Sequence, residues 1–461
     1  MFNSPPEYQF NLAPNSPYVL WFNNIMPCNS KYLKHLQLVE YLIGFDVNPT
    51  DRLILDSGNS APRLVSPLKS YLEKVNRFLF GGGLVLDLLG AKSDDARQIW
   101  LTNQVKQMGL NNLANLAWRR GATTGEVAIV FTQATSENGE ASMYFNIDLF
   151  DYPEFTPERD HNGQLLAINV LASRFINGEE MVFKARYAKD GYTFWEPIPV
   201  DKASNKNWLS SGKFTPHNYR RVPGVVIRNK LEDPKSRGIG DFDKPACDMA
   251  IELILQEINS CENHWFFGHP FISSDDPDNV LEAIRMRSQV LQAGSKEDGG
   301  HPVILNPPTM PESHERLINR LQRNLAEHLG VSSVIDQTPN EMSSLTLRLL
   351  NASTISLAET KWANYVVEGL EPLFGTMLIA AGAEGVLSGV WANDPSTYEV
   401  KISRAQPYFP VAPSEKQALL SVAEQLVSLG VKREVALARE YFTDLTIEQV
   451  GEMLDANFVE I

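Results

Sequence analysis

The spacing of apolar residues changes twice along this 461-residue chain. Up to about residue 125, apolar residues recur at the three- and four-residue spacing that is typical of amphipathic helices. Residues 126–228 instead alternate, as Val127, Ile129 and Phe131 show, which is the pattern of a half-buried strand. Beyond that block the helical spacing returns. Helices and strands that occupy separate blocks indicate an α+β fold.

Turn signals divide the middle block further. Asn-Gly pairs occur at 138–139, 162–163 and 177–178, each between two apolar runs. Asn-Gly is the strongest short signal for the tight turn of a β-hairpin. We therefore expect residues 126–228 to form an antiparallel sheet of several hairpins.

Three helices are expected before the sheet. They begin near Ser30, at Ser66-Pro67 and near Ser93, and the third is expected to continue to about Gly121. Ser66 is a good helix cap, and proline is tolerated in the first helical turn. The glycines at 81–83 are followed by leucine instead of the lysine of a phosphate loop, so we interpret them as a turn.

After the sheet, Asp243 is expected to cap a helix over residues 241–265. Its residues Ala246, Ala250, Leu253 and Ile254 share one face. A compact mixed insert follows, and a second helix is expected from Glu312 to Gly330.

A loop at 331–342 is expected to lead into a very long helical stretch that reaches about Ala381. Pro372 and Gly375 are expected to kink or break that stretch. Strand-like segments follow at 386–390 and 398–402. Three short helices complete the chain, the last with a Thr446–Gln449 capping box.

The overall charge limits the function. The chain carries a formal net charge of −15, with 43% hydrophobic and 21% charged residues. Proteins that hold nucleic acid tightly usually present a broad basic face, so any DNA contact here must be local or weak. The N-terminal residues do not resemble a signal peptide, and no run of about 18 apolar residues predicts a membrane span. We therefore expect the chain to act in a cytoplasm or in a particle assembled there.

Catalytic motifs are missing from the sequence. Nucleophile-elbow, zinc-protease and phosphate-loop patterns do not occur. Cys28, Cys247 and Cys261 are odd in number and widely separated, which favours reduced thiols over disulfides or a zinc site. His264 and His269 are five residues apart, which does not suit two ligands on one helix face. Glu126 is the one isolated candidate acid. We predict no catalytic, cofactor-binding or metal-binding residue, and no enzyme activity.

One charge pattern is more informative. Arg316, Arg320 and Arg323 are spaced so that they share one face of the helix after the insert. Leu317, Leu321 and Leu325 are expected on another face. The arginines either form a solvated face, with Arg323 paired to Glu327, or form a surface that contacts phosphate lightly.

The order of these parts, together with several short motifs, resembles the portal proteins of tailed bacteriophages, in particular the siphophage-type family. The motifs are individually weak, but their order covers nearly the whole chain. At 344 and 346, serine and threonine replace the family's glycine and alanine. The segments that carry the resemblance are 117–121 with 125–129, 151–155, 222–226 with Asn229, 238–242, 343–350 and 426–431.

The resemblance implies a portal fold with wing, stem, clip and crown regions. The expected regions are a wing at 1–240, a first stem helix at 241–265, a clip at 266–312, a second stem helix at 313–330, a tunnel loop at 331–343, the long wing helix and strands at 344–405 and a helical crown at 406–461.

The resemblance also implies a role. Portal subunits form a homo-oligomeric ring, expected here as a dodecamer, at one capsid vertex of the virion, after assembly in the host cytoplasm. Double-stranded DNA passes through the ring without sequence specificity during packaging and ejection. The terminase large subunit, a head-completion adaptor, and capsid and scaffolding proteins are the expected partners. No cofactor and no membrane is expected.

Two sets of residues become candidates for contact with DNA. Arg316, Arg320 and Arg323 would lie on the second stem helix. Asp336, Asn340 and Glu341 would lie in the tunnel loop, where the lack of lysine and arginine favours a steric or hydrated gate over a clamp.

Two alternatives remain open from the sequence. The first is another ring-forming head–tail connector, which would usually be shorter. The second is a soluble α+β enzyme with an unrecognised site. A monomeric enzyme should bury both faces of 241–265 and 313–330, whereas a ring subunit should leave apolar surface exposed on them.

Overall fold

The computed structural model describes residues 30–44, 46–47, 64–91, 95–135, 141–176, 179–202, 211–231, 237–268, 271–274, 289–292, 304–305, 312–332, 349–391, 393–404, 413–440 and 450–451. The α-helices within these residues are α1 (Ser30–Gly44), α2 (Pro67–Phe80), α3 (Ala96–Met108), α4 (Leu110–Thr124), α5 (Lys244–Gly268), α6 (Glu312–His328), α7 (Ala352–Trp362), α8 (Glu371–Ala383), α9 (Pro413–Ser428) and α10 (Arg433–Glu440).

The strands are β1 (Asp46–Val47), β2 (Leu64–Val65), β3 (Leu84–Leu88), β4 (Glu126–Thr135), β5 (Ala141–Asp151), β6 (Phe155–Arg159), β7 (Leu165–Ile176), β8 (Glu179–Ala188), β9 (Gly191–Phe194), β10 (Ile198–Pro199), β11 (Lys213–Pro216), β12 (Gly224–Arg228), β13 (Phe271–Ser274), β14 (Gln289–Gln292), β15 (Ile304–Leu305) and β16 (Val400–Arg404).

The chain divides into two compact units. Of the described residues, those within 74–239 and 334–461 form the sheet unit, and those within 27–73 and 240–333 form the hairpin unit. Helices and strands are both abundant, and most of the strand residues lie in one block at 126–228, which is consistent with the predicted α+β class.

Within residues 126–228, the described strands form two antiparallel sheets, where one was expected. The first has the order β12-β4-β5, and the second has the order β11-β9-β8-β7-β6 with β10 added to β8. The predicted hairpin at Asn162-Gly163 is confirmed, because β6 pairs with β7 across it and Gly163 has φ +82°. The other two Asn-Gly pairs lie outside the described residues, but the strands on either side of each pair antiparallel.

The third helix was predicted as one continuous helix, but the structure contains two. Gly109 divides it into α3 and α4, and its φ of 66° lies in the left-handed region that glycine adopts without strain. The Gly109 N–H donates to the Val105 oxygen, which closes the end of α3. The predicted start is correct, because the Asp95 side chain accepts the Arg97 N–H at 2.8 Å.

The predicted long helix is confirmed over its described part, from about residue 349 to Ala383. Pro372 does not interrupt it, because a π-helical segment at Ala363–Leu370 precedes the proline. In that wider segment the Glu371 N–H donates to the Val366 oxygen, five residues back, so the chain reaches Pro372 with a changed register. The Ala352–Ala383 stretch is long and apolar enough to cross a membrane. However, 67% of its most apolar 18-residue segment is buried inside the protein, as in a core helix.

One predicted strand is wrong and another is confirmed. Residues 386–390 form turns and bends. The segment at 398–402 contributes to β16, which pairs antiparallel with β3. The first two of the three predicted C-terminal helices are present as α9 and α10, whose Ala423, Ala436 and Leu437 form a small buried cluster with Val450. The predicted Thr446 capping box lies outside the described residues.

The hairpin unit is built around α5. Asp243 caps this helix as predicted, since its Oδ1 accepts the Ala246 N–H at 2.9 Å. Helix α1 packs against α5, and His35 Nε2 lies 2.7 Å from the Phe242 oxygen. Tyr71 donates its hydroxyl to Asp241 at 3.2 Å and contacts the Phe242 ring edge-on. The entry to α5 is therefore held by side chains from two other helices.

Candidate functional site

The insert between α5 and α6 separates two helices that run antiparallel. His328, the last residue of α6, places Nε2 2.9 Å from the Asp243 carboxylate at the start of α5. Further along, Gln322 donates to Glu257 Oε1 at 3.3 Å. The start of α5 thus lies beside the end of α6, and the two helices form a hairpin. Their observed bounds are within three residues of the predicted stem helices.

The inner faces of the hairpin helices are apolar. Ala250 and Leu253 on α5 are buried, as are Leu325 on α6 and Leu329, which directly follows α6. Cys247 is also buried, and burial raises the pKa of its thiol to about 12, with a smaller contribution from Asp248 and Asp243. A thiol with so high a pKa stays protonated and acts as a small apolar side chain.

The predicted arginine stripe is exposed. Arg316, Arg320 and Arg323 all lie on the solvent side of α6, and they span about 10 Å at 1.5 Å per residue. The described ion pairs of α6 include His328 with Asp243 but not Arg323 with Glu327, the pair that belonged to the solvated-face alternative. The three arginines are exposed along one side of α6, in a chain of net charge −15.

The predicted apolar face of α6 is correct only in part. Leu325 is buried, but Leu317 is 40% exposed. Sequence spacing placed Leu317 with Leu325, whereas the inner face is completed by Leu329, one turn further on. Leu317 is left at the side of the helix, next to the arginine stripe.

The outer face of α5 has the opposite charge. Asp248 and Glu252 are exposed, and Leu255 beside them is 40% exposed. Glu257 lies on the inner side instead. Burial raises the pKa of its carboxyl, and the hydrogen bond from Gln322 offsets part of that rise.

The far end of the hairpin carries a small mixed sheet. Strand β13 pairs parallel with β14 and antiparallel with β15. Most of the expected insert at 266–312 lies outside the described residues, so its compactness stays a prediction. The tunnel-loop candidates Asp336, Asn340 and Glu341 lie outside the described residues, so their role stays a prediction.

Glu126, the isolated candidate acid, has a structural role. Its buried carboxylate accepts the Gly238 N–H at 2.8 Å and lies 3.8 Å from Arg237 Nε. It therefore holds the segment that precedes residue 240 against the sheet. Within the described parts of the chain, no group of three or more His, Cys, Asp or Glu side chains is arranged to hold a metal ion.

A buried polar cluster in the sheet unit was not predicted. Lys361 on α7 is buried and donates to Asn229 Oδ1 at 2.8 Å, and Tyr365 donates to the same oxygen at 3.1 Å. Asn364 binds the Asn229 backbone oxygen, and Asn229 itself donates to the Ile239 oxygen at 3.0 Å. The available signal was a lysine among the apolar residues of a core helix. The cluster ties Asn229, and through it Ile239, to the long helix.

Comparisons with known proteins complete the description of the chain. No family model matches the sequence, and no curated protein matches it. A chain from a solved structure of the virion of a native gene transfer agent particle is similar over 87% of this chain and 99% of that chain, with 12% identity and a TM-score of 0.36. A likeness at this TM-score defines neither the fold nor the function of this protein.

Proposed function

We propose that this chain is the subunit of a phage portal ring, through which double-stranded DNA enters and leaves a capsid at one vertex. The observation that carries the proposal is the hairpin of α5 and α6, with a small sheet at its far end and with exposed leucines on the outer face of α5 and on the side of α6. A monomeric enzyme would be expected to bury these faces. Leu255 and Leu317, each 40% exposed, instead favour a subunit that completes its packing in an assembly.

The charge of the chain suits a passage for DNA. A strongly basic wall would hold the duplex by releasing counterions from many phosphates. With a net charge of −15, most of this protein's surface would repel the phosphates weakly, and contact would be limited to a few cations. No reading of base edges is required, because the cargo is a whole genome.

The proposal includes the partners and the location of the ring. The small sheet of β13, β14 and β15 would face out of the capsid and bind the terminase large subunit during packaging and a head-completion adaptor afterwards. Capsid and scaffolding proteins would surround the ring in the virion after assembly in the host cytoplasm. The DNA would move through a dodecamer past the loop that contains Asp336, Asn340 and Glu341.

The direct test is the assembly state of the purified chain. Negative-stain images at micromolar concentration should show rings with a central hole. A monomer at every salt concentration would overturn the proposal. Labelling of assembled particles should place the ring at a single vertex, whereas a position along the tail would favour another connector.

The arginine stripe has two possible uses in such a ring. Arg316, Arg320 and Arg323 could contact the phosphates of the passing duplex, or they could contact a neighbouring subunit. Replacing all three with glutamine separates these uses. Intact rings that retain less DNA would assign the stripe to DNA, and loss of the rings would assign it to subunit contacts.

A further inference from the structure

The outer faces of the hairpin carry complementary patterns of charge. One end of the hairpin is where α5 begins and α6 finishes. Counted from that end, the exposed charges of α5 are Lys244, Asp248 and Glu252, in the order positive, negative, negative. From the same end, the first three exposed charges along the outer face of α6 are Glu327, Arg323 and Arg320, in the order negative, positive, positive, and Arg316 follows them.

The spacing of the two patterns also agrees. Successive charges on α5 are four residues apart, and those on α6 are four and then three residues apart. At 1.5 Å per residue, these steps are about 6 Å and about 4.5 to 6 Å. If these two faces meet with the helices antiparallel, one register can place each charge of α5 opposite a charge of the other sign on α6.

The two patterns cannot meet within one subunit. The bonds between Asp243 and His328 and between Gln322 and Glu257 hold the inner faces of the helices together. Asp248 and Glu252 lie across α5 from the buried Ala250 and Leu253, because a helix turns every 3.6 residues. Arg320 and Arg323 lie across α6 from its buried leucines in the same way. The two charged faces therefore point away from each other.

An apolar residue accompanies the charges on each face. Leu255 follows the acids of α5 by one turn, and Leu317 precedes Arg320 on α6; each is 40% exposed. Exposed ion pairs alone contribute little to association. Leucines at the same end of both patterns add apolar area that an interface would cover.

Resting on the ring-forming function proposed above, we infer that the outer face of α5 docks against the outer face of α6 of a second copy of this chain. Such contacts are heterologous and close into a ring when the rotation between subunits permits. Pairing of two α6 faces would oppose arginine with arginine, and pairing of two α5 faces would oppose acid with acid. This docking assigns Arg320 and Arg323 to the neighbouring subunit instead of the DNA.

Charge exchange between the two faces tests this docking. The double substitution Asp248→Lys and Glu252→Lys makes both faces basic, and Arg320→Glu with Arg323→Glu makes both acidic. Each full-length variant alone should associate at least about tenfold more weakly than the original chain, because like charges then meet at every contact. An equimolar mixture should regain rings in which the two variants alternate.

Mass photometry and negative-stain imaging at low ionic strength measure the outcome, and circular dichroism checks that each variant is folded. A matched control reverses two exposed cations outside the hairpin, Lys106→Glu on α3 and Arg119→Glu on α4, and should keep its rings.

The results distinguish failure of the docking from failure of the proposed ring function. If the original chain forms rings and both hairpin variants do so alone, the docking is wrong while the proposed function stands. If the variants fail to form rings both alone and in the mixture, the docking is likewise wrong. If the original chain never associates, both proposals are overturned.

Discussion

Replacing Glu154 with glutamine should stabilise the sheet of β6 to β11 at alkaline pH. The Glu154 side chain is only 13% exposed, and its Oε1 lies 3.3 Å from Arg174 Nη1. Its other oxygen is buried and has no hydrogen-bond partner among the described residues. Burial, followed by the charge of Asp151, raises the pKa of Glu154 to about 7, although Arg174 and Arg120 act to lower it. The ionised carboxylate is therefore unfavourable where it lies.

The size of the effect follows from the pKa shift. One pKa unit corresponds to about 1.4 kcal/mol. A pKa change from 4.5 to about 7 therefore lowers the free energy of unfolding by roughly 3 kcal/mol once the Glu154 carboxyl is ionised. Because the folded pKa lies above the unfolded one, the stability that the proton provides is fully present below pH 4.5 and is lost as the pH rises through 7. Glutamine forfeits the ion pair with the half-exposed Arg174, worth about 0–1 kcal/mol. The net gain expected at pH 8 is about 2 kcal/mol, with little or none at pH 4.

Native-state hydrogen exchange can measure this gain without assuming that the whole chain unfolds in one step. A suitable probe is the Leu171 N–H, which donates to the Glu154 backbone oxygen at 2.7 Å. The matched control is Glu158→Gln on β6, where an exposed pair with Arg186 at 2.9 Å should contribute less than about 1 kcal/mol at either pH. If Glu154→Gln lowers protection at pH 8, or changes it equally at both pH values, the reasoning from burial is refuted.

Two further substitutions address the core of the sheet unit. Asn229→Ala should lower the free energy of unfolding by about 3 kcal/mol or more, because the buried Lys361 and Tyr365 lose an acceptor. Asn229→Asp should lower it less, because it keeps that oxygen. Thermal unfolding compares the two variants. Gly121→Ala would place a methyl group against the Tyr365 hydroxyl and should lower the free energy of unfolding by about 1–3 kcal/mol. Its comparison variant, Gly44→Ala, has open space around the added methyl group and should leave the melting temperature nearly unchanged. Equal melting temperatures within either pair would contradict the role assigned to Asn229 or to Gly121.

The sequence alone determined the features that depend on neighbours within one turn. The apolar spacing predicted the main helical and strand blocks, and the helix start near Ser93 and the cap at Asp243 were predicted correctly. The exposed stripe of Arg316, Arg320 and Arg323 was also predicted, because helical geometry places residues at i, i+4 and i+7 on one side. Each of these depends on local hydrogen bonds and on a period that is readable along the chain.

Tertiary structure decided which faces are covered and by what. The sheet divides into two because β12 returns to pair with β4 after the other strands have paired among themselves. Lys361 is buried because Asn229, far away in the sequence, supplies its acceptor. Leu317 has the same spacing as a core leucine but remains exposed, because the inner face of α6 meets α5 along another line. Burial depends on partners that are distant in sequence, and the period of one helix does not specify them.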